Sequence, residues 1–160
     1  MPSAVVGRFP EIPRPGDPAP RIHTPTAEDA GGDLSKIDTR IPPDQMHQVD
    51  FANVIGEKPT VLLFATPQFC ESRVCGPVVD VAEQGREETS QEADKDVAFI
   101  HQEVFNENDP GKGVRRELRA FHLETEPWVF VFDREGKVSS RIEGAFSAEE
   151  LRQAIHRVTS

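Results

Sequence analysis

From residue 60 onward, the chain alternates between two patterns of apolar and polar positions. The continuous apolar run over residues 60–65 is typical of a strand that is buried on both faces of a sheet. Apolar runs over 97–100, continuing to Val104, and over 128–132 predict a second and a third strand. Between these runs, apolar residues at helical spacing predict helices over residues 77–88, with Pro77 as the first helical residue, and over 114–121. We therefore expect a buried sheet with helices packed against it.

The C-terminal part of the chain continues this pattern with a hairpin and a last helix. Turn residues at 133–136 separate the third strand from a strand over 137–143. Ser147, with Glu150 three residues later, forms a capping box that begins the last helix. A shorter helical turn is expected at 49–55. The apolar face of the last helix consists of Leu151, Ala154, Ile155 and Val158.

The N-terminal residues 1–48 have a different composition. They contain nine of the fourteen prolines and show little hydrophobic periodicity. Proline restricts the backbone and its predecessor and removes hydrogen-bond donors, which favours extended or polyproline II segments and loops. We expect a Pro-rich N-terminal extension over 1–48, packed on the domain or partly disordered, and one domain over 49–160. The fold class predicted is α/β, with a central mixed sheet flanked by helices.

Composition and charge exclude several classes of partner. The 160 residues carry 28 acidic and 18 basic side chains, a formal net charge of -10, which repels nucleic acids and anionic membranes. No run approaches the roughly 20 apolar residues of a membrane-spanning helix. The first fifteen residues also lack the layout of a signal peptide. We expect no nucleic-acid partner and no membrane insertion by this chain, although an export signal or anchor could precede it in the full-length gene product.

The chemistry of the chain centres on its only two cysteines, Cys70 and Cys75, which follow the first predicted strand. Thiols where a strand turns into a helix are placed for electron exchange rather than for joining distant segments. On an ideal helix their Cα atoms would lie about 8.6 Å apart, whereas a disulfide needs about 7 Å or less. We therefore favour a loop for the pair. The nearby helix N-terminus and Arg73 between the cysteines favour a thiolate.

The order of elements, the cysteine pair and Glu126-Pro127 before the third strand together resemble the thioredoxin-like superfamily over residues 48–160. The resemblance implies that Pro127 is a cis-proline facing the cysteines. It also implies that one cysteine attacks a disulfide and the other resolves the mixed disulfide. Gly16-Asp-Pro-Ala-Pro20 is similar to the lead-in of extracytoplasmic thioredoxin-like proteins and of the AhpC/TSA redoxin branch.

The cysteine spacing departs from the usual Trp-Cys-x-x-Cys motif and leaves the nucleophile open. Cys70 lies at the distance from the strand expected of the family's nucleophilic cysteine and is preferred. However, Cys75-Gly-Pro77 reproduces the first three residues of Cys-Gly-Pro-Cys. Four intervening residues also resemble bacterioferritin-comigratory-type peroxiredoxins. In that group a Thr or Ser lies three residues before the peroxidatic cysteine, where this chain has Pro67. Thr66 is one position out of register.

Other residues are candidates for supporting roles. Glu103 and Glu126 could accept the proton of the resolving thiol. Trp128 could line a substrate groove or pack in the core. His101 and His122 are expected to lie at the surface or to be partly packed. Because the five histidines show no ligand spacing and no third cysteine exists, no metal and no cofactor are expected.

These observations predict a thiol-disulfide oxidoreductase that exchanges electrons with a protein substrate and a thiol-protein donor or acceptor. The first alternative is a thiol peroxidase, an antioxidant function in which Cys70 is peroxidatic and Cys75 resolving. The second is a non-catalytic thioredoxin-like binding domain with a structural disulfide. The resemblance and the Pro-rich segment favour an extracytoplasmic location, while two cysteines alone are also compatible with the cytosol.

Overall fold

A computed structural model describes residues 11–70, 72–92 and 95–159 of the chain. The first ten residues of the predicted N-terminal extension therefore lie outside the described residues. In chain order, the helices and strands are α1 (Phe51–Val54), β1 (Thr60–Phe64), α2 (Cys75–Ser90), β2 (Ala98–Gln102), α3 (Arg116–Ala120), β3 (Trp128–Phe132), β4 (Val138–Glu143) and α4 (Ala148–Thr159).

The four strands form one mixed sheet in the order β2-β1-β3-β4. The pair β1 and β2 is parallel, with Leu62 opposite Ile100. The pairs β1 with β3 and β3 with β4 are antiparallel. Every residue of β1, β2 and β3 is buried, as expected for strands covered on both faces. The predicted α/β class with a mixed sheet flanked by helices is confirmed.

Apolar side chains form a separate core on each face of the sheet. On one face, Phe121 contacts an aromatic group made of Phe51, Phe64, Phe130 and Phe132, with ring centroids 5.0–6.4 Å apart. On the other face, residues of α2 and α4 pack on the alternate residues of the same strands. Helices α1 and α3 thus lie on the first face and α2 and α4 on the second.

The hairpin and the last helix form as their sequence predicts. Ser147 N–H donates to Glu150 Oε1 at 2.8 Å, and Glu150 N–H donates to Ser147 Oγ at 3.0 Å, which is the predicted capping box. The four predicted apolar residues of α4 are all buried. Because the box and the apolar stripe agree, the sequence locates this helix well.

The start of α2 was predicted wrongly. The helix begins at Cys75, not at Pro77, which is its third residue. A proline fits there because the first N–H groups of a helix have no partner within the helix. Val74 precedes the helix without a side-chain cap, so no capping residue marks the true start in the sequence.

The described residues of the N-terminal segment lie against the domain. Gly16 N–H donates to Val138 O at 2.8 Å, and Val138 N–H donates to Asp17 O at 2.9 Å. Further along, His101 N–H of β2 donates to Met46 O at 2.9 Å, so the segment covers part of the outer edge of this strand. In the part of the chain that the structure describes, no helix has the length and apolar character needed to cross a membrane.

Candidate functional site

The two cysteines form a disulfide at the start of α2. Their Cα atoms lie 5.9 Å apart, within the usual range for this bond. Cys75 is the first residue of α2 and is fully buried, whereas Cys70 lies in the preceding loop and is half-buried. The bond therefore has one sulfur near solvent and one within the protein.

The segment that carries Cys70 is a series of turns rather than a helix. Phe69 N–H donates to Thr66 O at 3.1 Å, and Arg73 N–H donates to Cys70 O at 3.3 Å. Arg73 has a φ of 64°, in the left-handed region, and its side chain is exposed. Because Cys70, Ser72, Arg73 and Val74 lie outside the helix, the disulfide can close without unwinding a helical turn.

Ser72 connects this loop to the segment before β3. Its Oγ lies 3.1 Å from Cys70 Sγ and donates to Glu126 O at 3.3 Å. The next peptide bond, Glu126–Pro127, is cis, as the sequence predicts. One hydroxyl thus contacts both the half-buried sulfur and the backbone of the cis-proline segment, so Pro127 lies next to the cysteine loop.

Glu103 is joined to the cysteine loop through Thr39. Glu103 Oε2 accepts hydrogen bonds from Thr39 N–H at 2.8 Å and from Thr39 Oγ at 2.9 Å. The same Thr39 hydroxyl accepts from Gln68 N–H at 3.1 Å, two residues before Cys70. Among the described residues, Glu103 Oε1 is buried without a hydrogen-bond partner.

The remaining predicted residues occupy different environments. Thr66 is fully buried, and its Oγ has no hydrogen-bond partner among the described residues. Pro67 is half-buried. Trp128 is 2% exposed, stacks on Phe130 and donates from Nε1 to Thr125 Oγ at 3.0 Å, so its ring packs with the core of the sheet.

The prediction for His101 was wrong. Its side chain is completely buried, and it belongs to a cluster that the sequence did not reveal. Its Nδ1 lies 2.7 Å from Asp44 Oδ2. His47 Nε2 lies 2.8 Å from Asp38 Oδ2, and these side chains are also buried. His122 is exposed as predicted, 3.2 Å from a carboxylate oxygen of Glu11.

Electrostatics within this cluster favour charged groups. Burial alone would lower the pKa of His101, but the charge and hydrogen bond of Asp44 raise it to about 10. Burial would likewise lower the pKa of His47, but the hydrogen bonds that Asp38 and Asp44 accept from its ring raise it. Burial would raise the pKa of Asp44, yet the two histidines hold it well below its usual range. These shifts follow from opposite charges in contact inside the protein.

The only sequence signal for this cluster was the position of His101 in a predicted strand. His101 directly follows the apolar residues 97–100 in a segment predicted as a strand, but the polar residues 101–103 gave no sign that this part of the strand is buried on both faces. The spacing of Asp38, Asp44 and His47 matches no metal motif, and the three lie in a segment without periodicity. Their meeting with His101 therefore depended on how residues 38–47 pack against β2.

Comparison with known proteins gives matches in structure. No family model matches the sequence, and no curated protein matches it. A thiol:disulfide interchange protein of the thioredoxin family from Chlorobium tepidum superposes with a TM-score of 0.60 and 18% identity, covering 92% of this chain and 98% of that one.

Two further solved structures have the same architecture. A second Chlorobium tepidum structure, described as thiol:disulfide interchange protein DsbE, has a TM-score of 0.58 and 17% identity, covering 92% of this chain and 99% of that one. MTB dsbF, solved in mixed oxidised and reduced forms, has a TM-score of 0.51 and 17% identity, covering 87% and 96%. The chain therefore has the thioredoxin-like fold predicted from its sequence.

Proposed function

We propose that this protein is a thiol-disulfide oxidoreductase that uses Cys70 and Cys75 as its redox pair. The unequal exposure of the two sulfurs carries the proposal, since Cys70 is half-buried and Cys75 is fully buried. In thiol-disulfide exchange, a substrate sulfur must reach the sulfur of the attacking or attacked cysteine, and only an accessible cysteine permits this contact. Cys70 is accordingly the nucleophile and Cys75 the resolving thiol.

The chemistry is a two-electron exchange in two steps. The Cys70 thiolate attacks one sulfur of a substrate disulfide, forming a mixed disulfide and releasing one substrate thiolate. The Cys75 thiolate then attacks Cys70 Sγ, which forms the Cys70–Cys75 disulfide and releases the second substrate thiolate. Two electrons pass from the protein to the substrate, and a dithiol protein restores the reduced pair. The reverse sequence oxidises a dithiol substrate.

The surroundings of Cys70 support this assignment. Ser72 Oγ is 3.1 Å from Cys70 Sγ, so its hydroxyl can donate to the thiolate once the bond is reduced. The backbone of Glu126 and Pro127 lies beside the same loop through Ser72. This segment can hold an extended substrate chain next to Cys70, with the cis-proline as its floor.

The resolving step needs a proton acceptor for Cys75. Glu126 is linked to the cysteine loop through its backbone carbonyl, which accepts from Ser72, and its side chain is half-buried. Glu103 is buried and connects to the cysteine loop through Thr39 and Gln68. We keep both carboxylates as candidates, with Glu103 acting through Thr39.

The peroxidase alternative has less support. The position three residues before Cys70 holds Pro67, and the nearby Thr66 hydroxyl is fully buried. None of the three matching structures above is described as a peroxidase.

The proposal also concerns partners and location. Its partners are a disulfide or dithiol protein and a thiol protein that exchanges electrons with the pair. We further propose that the protein works outside the cytoplasm, where disulfides form and persist. Fractionation of cells that express the full-length gene product tests this location.

Trapping of the mixed disulfide tests the mechanism. Cys75→Ser leaves the nucleophile without a resolving partner, so a reduced sample mixed with a disulfide-containing peptide should accumulate a covalent adduct on Cys70. Intact mass spectrometry with tryptic mapping identifies the modified residue. Cys70→Ser is the matched control and should form little adduct, because Cys75 is buried.

Two results would contradict the assignment. Equal or faster trapping by Cys70→Ser would make Cys75 the nucleophile. No adduct with either variant, together with unchanged folding by circular dichroism, would leave a binding domain with a structural disulfide.

A further inference from the structure

Two histidines and two aspartates from distant parts of the chain meet in a closed cluster behind β2. Three of them lie within residues 38–47 and the fourth lies on β2. Their side chains are at most 1% exposed, and one ligand atom from each lies within 4.8 Å of all the others. The members are Asp38, Asp44, His47 and His101.

The contacts within this cluster form a ring in which histidine and aspartate side chains alternate. His47 Nε2 lies 2.8 Å from Asp38 Oδ2 and 3.2 Å from Asp44 Oδ1. His101 Nδ1 lies 2.7 Å from Asp44 Oδ2 and 3.6 Å from Asp38 Oδ1. In a tetrahedral site with bonds of about 2.0–2.1 Å to a metal, neighbouring ligand atoms are about 3.3 Å apart. The observed contacts lie on both sides of that value, and the ligand atoms of the four residues lie within 4.8 Å of one another. Closing the widest separations by up to about 1.5 Å would create the site.

Bonds around the cluster already orient its members as they do in metal centres. His101 Nε2 lies 2.9 Å from Ala65 O; a proton on Nε2 donates to this carbonyl, so Nδ1, once it releases its proton, directs its lone pair at the cluster. A backbone carbonyl bound to the second ring nitrogen is a common partner of a metal-binding histidine.

The carboxylates are held in place as well. Asp38 accepts hydrogen bonds from the N–H groups of Arg40 at 2.8 Å and Asp44 at 2.9 Å. Asp44 accepts from Met46 N–H at 2.9 Å. These bonds fix the direction of the carboxylates and leave lone pairs on their oxygens for a cation.

We propose that Asp38, Asp44, His47 and His101 form a binding site for a divalent transition-metal ion, with Zn²⁺ as the best fit. Two imidazoles with two carboxylates suit Zn²⁺, which accepts a tetrahedral set of nitrogen and oxygen ligands. Calcium and magnesium prefer oxygen ligands alone and usually retain water, whereas this site supplies two nitrogens and its side chains are closed to solvent. The two aspartates balance the charge of the ion.

The site is compatible with loading from solution. Since three of the ligands lie within residues 38–47, lifting this one segment from β2 would expose the whole cluster. Each histidine nitrogen that binds the ion gives up the proton it now shares with an aspartate. The bound ion would then tie the N-terminal segment to β2 at His101, whose ring also contacts Ala65 O directly before the cysteine loop. This proposal does not depend on the redox function.

Zinc titration of the oxidised full-length chain tests the proposal. With the disulfide closed, neither cysteine can bind the ion. Isothermal titration calorimetry with ZnCl₂, and elemental analysis after dialysis, should show one ion per chain, and Zn²⁺ should raise the midpoint of thermal unfolding. Asp44→Asn and His47→Gln should each lose this binding. His156→Gln, which changes an exposed histidine of α4, is the matched control and should retain it.

Anomalous diffraction at the zinc edge from crystals of the unmodified protein keeps the test valid even if a cluster variant fails to fold. The expected result is one peak between His47 and His101. A peak elsewhere, binding that survives Asp44→Asn, or the absence of any binding and thermal shift would overturn the proposal, leaving a cluster held by hydrogen bonds alone.

Discussion

Replacing Thr39 with valine removes the hydroxyl that joins Glu103 to the cysteine loop. The substitution keeps the branched shape of the side chain and removes two hydrogen bonds, one to Glu103 Oε2 at 2.9 Å and one from Gln68 N–H at 3.1 Å. A hydrogen bond to a carboxylate contributes about 1.5–3 kcal/mol, and a neutral one about 1 kcal/mol.

The burial of each partner decides how much of this energy is lost. Glu103 is 1% exposed, and its Oε1 has no hydrogen-bond partner among the described residues, so water cannot readily replace the Thr39 hydroxyl. Gln68 is exposed, and water can replace its bond. The expected loss is therefore about 2 kcal/mol, mostly from the Glu103 side.

Urea denaturation followed by circular dichroism measures this loss. Thr39→Val should lower the denaturation midpoint with an unchanged slope, and alkylation of reduced Cys70 should become faster as the loop loosens. Thr39→Ser keeps the hydroxyl and is the matched control. A change below about 0.5 kcal/mol, the size of an ordinary surface substitution, or equal losses in both variants, would refute the role assigned to this hydroxyl.

Further predictions concern the core, the last helix, the disulfide and the buried histidine. Phe121→Ala should reduce the free energy of unfolding by about 3–5 kcal/mol, because Phe121 contacts four other aromatic rings; a loss under 1 kcal/mol in urea denaturation would contradict the packing. Ser147→Ala should cost about 1 kcal/mol through the lost cap, measured in the same way. Reducing the Cys70–Cys75 bond should cost about 2 kcal/mol for so short a loop, as judged by denaturation with and without reductant. With a chelator present, the free energy of unfolding should fall as pH rises. The charged His101 stabilises the fold fully below its unfolded pKa of about 6.5, and this contribution is lost above its folded pKa of about 10. An unfolding midpoint that does not change with pH would argue against this charge.

The parts of the fold with a regular pattern were predictable from the sequence. The strand residues of β1 and β3 are continuous apolar runs, and a buried strand between two layers needs such a run. The box of Ser147 and Glu150 located α4 because both partners of the cap are close in sequence. The cysteine pair was found for the same reason, since its placement after β1 is a local feature.

The predictions that failed had two causes, a missing local signal and a contact between distant residues. The start of α2 was missed because Val74 offers no capping side chain. His101 was expected at the surface or partly packed, because no local pattern showed that the segment around Met46 covers this part of β2. Its partner Asp44 lies 57 residues earlier, in a segment without periodicity, so no local pattern could bring the two together.

Titration of the Cys70–Cys75 pair against defined thiol-disulfide buffers tests the central claim most directly. Alkylation followed by mass spectrometry counts the free thiols at each potential, and Cys70→Ser provides the blank. The redox function predicts reversible conversion between about -120 and -270 mV, the range of catalytic pairs. A bond that stays closed below about -300 mV would contradict it and leave a structural disulfide.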